Sequence, residues 1–109
     1  MSKHGGFAVL RRKLDYAITY GTKKKAAAIA REGLQRALNA RRLGDIEYFR
    51  AQLQIIRKNF ATAIDHLDRA IKLNPYDGAA YNDRALCMVE LGIIDEALPF
   101  FDRGIEVEP

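Results

Sequence analysis

The sequence predicts an all-α fold, a stack of antiparallel helix pairs with about three pairs and six helices. Three observations carry that expectation. Residues 44–75 lie over residues 78–109 without a gap and agree at eight of 32 positions, among them Gly44/Gly78, Arg50/Arg84, Ala51/Ala85, Ala63/Ala97, Asp68/Asp102 and Pro75/Pro109. The chain therefore has an internal period, which governs every other reading. Within each copy the apolar residues step by three and four, the spacing of one helix face. The breaks between these runs hold Gly, Asn, Asp and Pro, which stop or cap helices.

Taken in order, residues 1–6 are expected to form a flexible tail. "FAVLRRKLDYAITYG" reads as a helix with Leu10, Leu14, Ala17 and Ile18 on one side and Gly21 as its stop. "TKKKAAAIAREGLQRALNARRLG" reads as a long second helix capped by Thr22. Residues 7–43 are thus a degenerate, basic capping pair. Its register has two solutions, one anchored on Gly21 and one on Ala30, Leu34 and Ala37. Residues 44–77 form the next unit, with a first helix from Ile46 to Ile56 and a second presenting Ala63, Ile64, Leu67, Ala70 and Ile71. Between them Lys58 stands where the next unit has Gly92, and Asn59 is expected to take the left-handed turn. "NPYDG" ends the second helix before Pro75 and offers Asp77 as the following cap. Residues 78–109 repeat the scheme: a helix from Tyr81 to Leu91, Gly92 as left-handed stop, Asp95 as cap, Pro99 in the first turn, then Ala97, Leu98, Phe101, Gly104 and Ile105 on one face. Small residues let paired helices approach closely, but one pair cannot bury its outer face, so pairs must stack. The match ends at Pro109, where a further helix is due. Residues 78–109 are therefore either the truncated end of a longer array or a module whose end face, with Phe100, Phe101 and Ile105, is a binding surface.

Charge is unevenly distributed. Residues 1–43 carry eleven Lys and Arg against two acids, and residues 44–109 carry seven against twelve, so a net +4 divides into +9 and −5. Such polarity favours acidic partners at one end or head-to-tail contact with another copy. The lone Cys87, in "ALCMVELG", reads as a small buried hydrophobe. No stretch approaches the ~20 apolar residues of a membrane span, and the start has no signal-peptide pattern, so a cytoplasmic protein is expected.

Nothing in the chain assembles a catalytic constellation. His66 lacks a Cys or second His one turn away and reads as a solvated helix residue, and the pairs Asp65/Asp68 and Asp95/Glu96 read as surface or helix-start charges. A phosphate-binding glycine loop and a nucleophile motif are absent. No enzyme activity, cofactor or metal is expected. "KKKAAAIAREGLQRAL" lacks the tight turn of a DNA-reading helix-turn-helix, because its apolar phase continues through Gly33. A basic face made by residues such as Arg12, Lys13, Lys23, Lys24, Lys25 and Arg31 leaves RNA or another polyanion open as an alternative partner.

The repeat resembles the tetratricopeptide repeat, with its 34-residue period. The small residues of that family at repeat positions 8, 20 and 27 match Ala51, Ala63 and Ala70, then Ala85, Ala97 and Gly104. Its bulky position matches Leu67 and Phe101, its proline Pro75 and Pro109, its early aromatic Tyr81, and its mid-repeat glycine Gly92. Glu47 departs from the aromatic, and Arg50 and Arg84 occupy a usually apolar position. The resemblance implies a right-handed superhelical stack and a non-catalytic scaffold that binds a protein or peptide partner on its concave side. The residues it implies there are Arg11, Arg12 and Asp15, then Asp45, Tyr48, Phe49, Gln52, Ile55 and Ile56, then Asn82, Asp83, Leu86, Val89 and Glu90, with Ile18 and Ala79 beside them. Packing between repeats is the equal alternative for Tyr48 and Phe49. Some members clamp a terminal carboxylate with Lys and Asn. Arg11, Asp15 and Phe49 stand at those positions, and only the first is a suitable donor. Self-assembly through Phe100, Phe101 and Ile105 is the remaining alternative.

Overall fold

The computed structural model describes residues 7–108, so the expected tail at 1–6 and Pro109 lie outside the described residues. Six helices follow one another: α1 (Ala8–Tyr20), α2 (Lys23–Asn39), α3 (Leu43–Ile56), α4 (Phe60–Leu73), α5 (Gly78–Glu90) and α6 (Ile94–Val107). Each packs chiefly on its neighbours in sequence, giving an all-helical stack without strands among the described residues.

Small residues set the helix spacing. Ala26, Ala30, Ala51, Ala63, Ala70, Ala85 and Ala97 are all buried, and three apolar clusters run along the stack. Gly33 is buried because the Phe49 ring occupies the space of its missing side chain: a Cβ there would lie 2.3 Å from Phe49 Cε1. Phe49 in turn packs on Phe7 and edge-on against Tyr48, joining α1, α2 and α3.

Helix ends follow the expected chemistry in part. Thr22 caps α2 by accepting from the Lys25 N–H at 3.1 Å, and Asp77 caps α5 by accepting from Ala80 at 3.3 Å. Glu108 adds a second partner there, accepting from the Gly78 N–H at 2.7 Å. Gly92 takes the left-handed conformation (φ 81°). In the preceding unit Lys58 itself does so (φ 62°), while Asn59 has φ −91° and caps nothing with its side chain. The turn geometry fixes the position that must invert, and an adjacent, better-suited residue cannot substitute for it. Asp95 is not the α6 cap: the helix starts at Ile94, which places Asp95 in its first turn and Pro99 inside the helix rather than in that turn. Gly21 ends α1 in an extended conformation, with a Cβ excluded by Ala17 O at 2.8 Å.

The departures from the repeat pattern are polar substitutions with partners. Glu47 is held by Arg50 at 3.1 Å and His66 Nδ1 at 2.7 Å. His66 is therefore half-buried and paired, not solvated. Arg84 donates to Asp68 at 2.6 Å and stacks 4.0 Å over the Phe100 ring.

Candidate binding groove

The first helices of the three pairs, α1, α3 and α5, share one side of the stack, and side chains at both ends fix their orientation. At one end Arg11, in the first turn of α1, forks onto Asp77 (3.1 and 3.0 Å) and reaches Asp45 at 2.9 Å. Its guanidinium lies 3.5 Å from the Tyr48 ring centroid. Asp45 stands in the first turn of α3 and Asp77 caps α5, so three helix N-termini converge here. Carboxylates at positive helix ends and an Arg between them neutralise one another. Burial opposes the Arg11 charge, but the Asp77 and Asp45 carboxylates outweigh it and raise its pKa. Arg11, Asp45 and Asp77 are each 5% exposed or less, and Arg11 Nε has no hydrogen-bond partner.

Towards the opposite end the C-terminal halves of α1 and α3, the length of α5 from Asn82 to Glu90 and the start of α4 enclose a cleft of about 370 Å³. Ile18, Ile55, Leu86 and Phe60 supply its apolar wall, and Asp15, Asp83 and Glu90 its charge. A second cleft of about 370 Å³ shares Ile18, Ile55, Phe60 and Glu90 and adds Ile56, Lys23 and Lys58, so the two form one continuous groove. Helices with their N-termini together at Arg11 and their last turns together at Thr19, Ile55 and Glu90 are parallel.

Gln52, itself buried, donates to Asp83 at 2.8 Å. Burial pushes the Asp83 carboxyl up to about 7, with the Gln52 hydrogen bond opposing and Asp15 and Asp77 reinforcing. Burial likewise raises Asp15, with Arg11 opposing. Cys87 on the cleft wall is 1% exposed, and burial pushes its thiol up to about 12, which makes it unreactive at neutral pH.

The structure separates the residues that the family pattern grouped. Asp15, Gln52, Ile55, Asn82, Asp83, Leu86 and Glu90 line the first cleft, and Ile56 lines the second. Val89 is partly exposed next to them, and Arg12 is exposed on α1 outside both clefts. Tyr48 and Phe49, 1% and 0% exposed, lie inside the stack, and Arg11 and Asp45 are interior too. At the last helix, Ile105 is 69% exposed, while Phe100 and Phe101 pack partly against the Ala85–Met88–Ala97 cluster. The residues of the first cleft missed from sequence are Thr19, Phe60 and Cys87. Phe60, on a second helix, carried no first-helix signal, although its alignment with Ile94 marked it as a bulky site.

No protein-family model matches the chain, and no solved structure does. Curated relatives do. An Hsp70-Hsp90 organizing protein of Triticum aestivum is 32% identical over 68 residues, 62% of this chain and 12% of the relative. Hsp70-Hsp90 organizing protein 3 of Arabidopsis thaliana is 38% identical over 52 residues, 48% and 9% respectively. Hsp70-Hsp90 organizing protein 1 of Glycine max is 38% identical over 53 residues, 49% and 9%. These matches join a six-helix stack with a 34-residue repeat. Together they fit a protein of tetratricopeptide-repeat type. The matched segment is about a tenth of the relatives' length. The candidate carboxylate donor, Arg11, is already engaged by two carboxylates of the chain itself. Among the described residues no helix is long and apolar enough to cross a membrane.

Proposed function

We propose that the chain is a non-catalytic protein-interaction module that binds a peptide segment of a partner protein in the groove between α1, α3 and α5. The observation that carries this reading is the continuous cleft itself. It is apolar on its walls, edged with charge, and long enough across its two halves to take several residues of an extended or helical segment. The relatives support it, since their names describe proteins that organize Hsp70 and Hsp90.

Leu86 offers the direct test, because it lines the cleft yet is 49% exposed, so truncating it leaves the core intact. With a peptide selected on the full chain from a phage-displayed random library, Leu86→Ala lowers affinity by about 1–2 kcal/mol while the circular dichroism spectrum is unchanged. Unaltered affinity contradicts the groove as the binding site.

A further inference from the structure

We propose that the segment held in this groove presents a lysine or arginine side chain to the end of the cleft formed by Asp15, Asp83 and Glu90. The inference rests on the groove reading above and names the chemistry of its occupant: a basic, apolar peptide from another protein.

Charge complementarity is the first argument. The residues lining this cleft include three carboxylates and no lysine or arginine. Among the described residues none of the three forms an ion pair. Asp83 has the Gln52 amide for company, and the nearby Arg11 is committed to Asp45 and Asp77. A cation entering the cleft would complete what the fold leaves incomplete.

The backbone supplies a second and independent argument. The last turns of α1, α3 and α5 reach the cleft through Thr19, Ile55 and Glu90, and α5 ends at Glu90. Helix C-termini carry partial negative charge and unsatisfied carbonyl groups, which favour a cation and disfavour a carboxylate. The positive ends of α1, α3 and α5 lie away from the cleft and are already neutralised by Asp45 and Asp77, although α4 begins at Phe60 on the cleft wall. Ile18, Ile55 and Leu86 then provide apolar surface for the methylene stem of a Lys or Arg whose charged head reaches the carboxylates. Burial that raises Asp83 to about 7 fits the same picture, since a bound cation would draw the carboxyl back to its ionised form.

Panning a phage-displayed random peptide library on the immobilised full chain tests the proposal, with affinities of the winners measured by fluorescence anisotropy. Enriched peptides carry Lys or Arg among apolar residues, and they bind more weakly as salt rises. Glu90→Gln and Asp83→Asn each weaken them by roughly threefold to tenfold. Glu90 is exposed, so its variant serves even if Asp83→Asn disturbs the fold. Winners that are neutral or acidic, lose affinity with Leu86→Ala and ignore Glu90→Gln overturn the cationic occupant while leaving the groove reading intact. Winners indifferent to Leu86→Ala, or no enrichment at all, overturn both. Sedimentation as a dimer that Glu90→Gln dissolves would make the occupant a second copy and likewise overturn the proposal.

Discussion

Arg11 ties three helices together through one guanidinium. It sits in the first turn of one helix and neutralises carboxylates at the starts of two others, all interior. Replacing it by Met leaves buried Asp77 without its cation and Asp45 with only the part-exposed Arg42 at 3.3 Å, which costs about 3–5 kcal/mol. Urea denaturation of Arg11→Met is expected to show that loss. A midpoint close to the wild type would mean that Asp45 and Asp77 find other partners. Asp83 has the opposite linkage. Its folded pKa, about 7, lies above its unfolded value, so the folded state binds the extra proton between about pH 4 and pH 7. The stability it contributes is present at low pH and is lost as pH rises through 7. The groups facing it are Gln52 on α3, Asp15 and Arg11 on α1, and Asp77 at the start of its own helix. Denaturation at pH 5 and pH 8 is expected to show a fall of roughly 1–3 kcal/mol for the wild type and a flatter profile for Asp83→Asn.

Helix boundaries were largely legible because caps and periodicity act locally. Thr22, Asp77, Gly92 and the stop before Pro75 all behave as their chemistry dictates. Where the reading failed, a tertiary or geometric requirement outweighed preference. The turn between α3 and α4 needs its left-handed residue at position 58, so Lys58 adopts it although Asn59 is the easier residue. The α6 helix begins at Ile94, one residue ahead of the expected Asp95 cap, so Pro99 falls in its second turn. Strain at Lys58 gives an element-level prediction. Lys58→Gly, copying Gly92 of the next unit, stabilises the protein by roughly 0.5–1 kcal/mol in thermal or chemical melts. No gain would mean that the left-handed turn is not held in solution.

At the scale of the whole molecule, repetition made the fold readable and left the groove only half so. A 34-residue period places Ile55 and Val89, or Arg50 and Arg84, at equivalent helix positions, but it does not say how deep each lies once pairs stack. Tyr48 and Phe49 shared the first-helix face with Gln52 and Ile55. They are buried because Phe7 and Gly33 of the first pair close over them, a contact that no pattern within the second repeat encodes. Charge was misleading in the same way. Arg11 belongs to the +9 segment in sequence, yet in the fold it is consumed by acids from the −5 segment. Exposed lysines of that segment, Lys23 to Lys25, lie at the start of α2, with Lys23 at the far end of the groove from Asp83. Asp15 and Asp83 at one end and the lysines at the other therefore give the groove a direction, with Glu90 between them. The claim that this groove is where the chain meets its partner is tested most directly by mapping backbone amide shifts as a library-selected peptide is titrated into the labelled full chain. Shifts concentrated at Asp15–Thr19, Gln52–Ile55 and Asn82–Glu90, and abolished by Leu86→Ala, are the predicted result. Shifts confined to the basic face of α2 or to the exposed Ile105 side of α6 would contradict it.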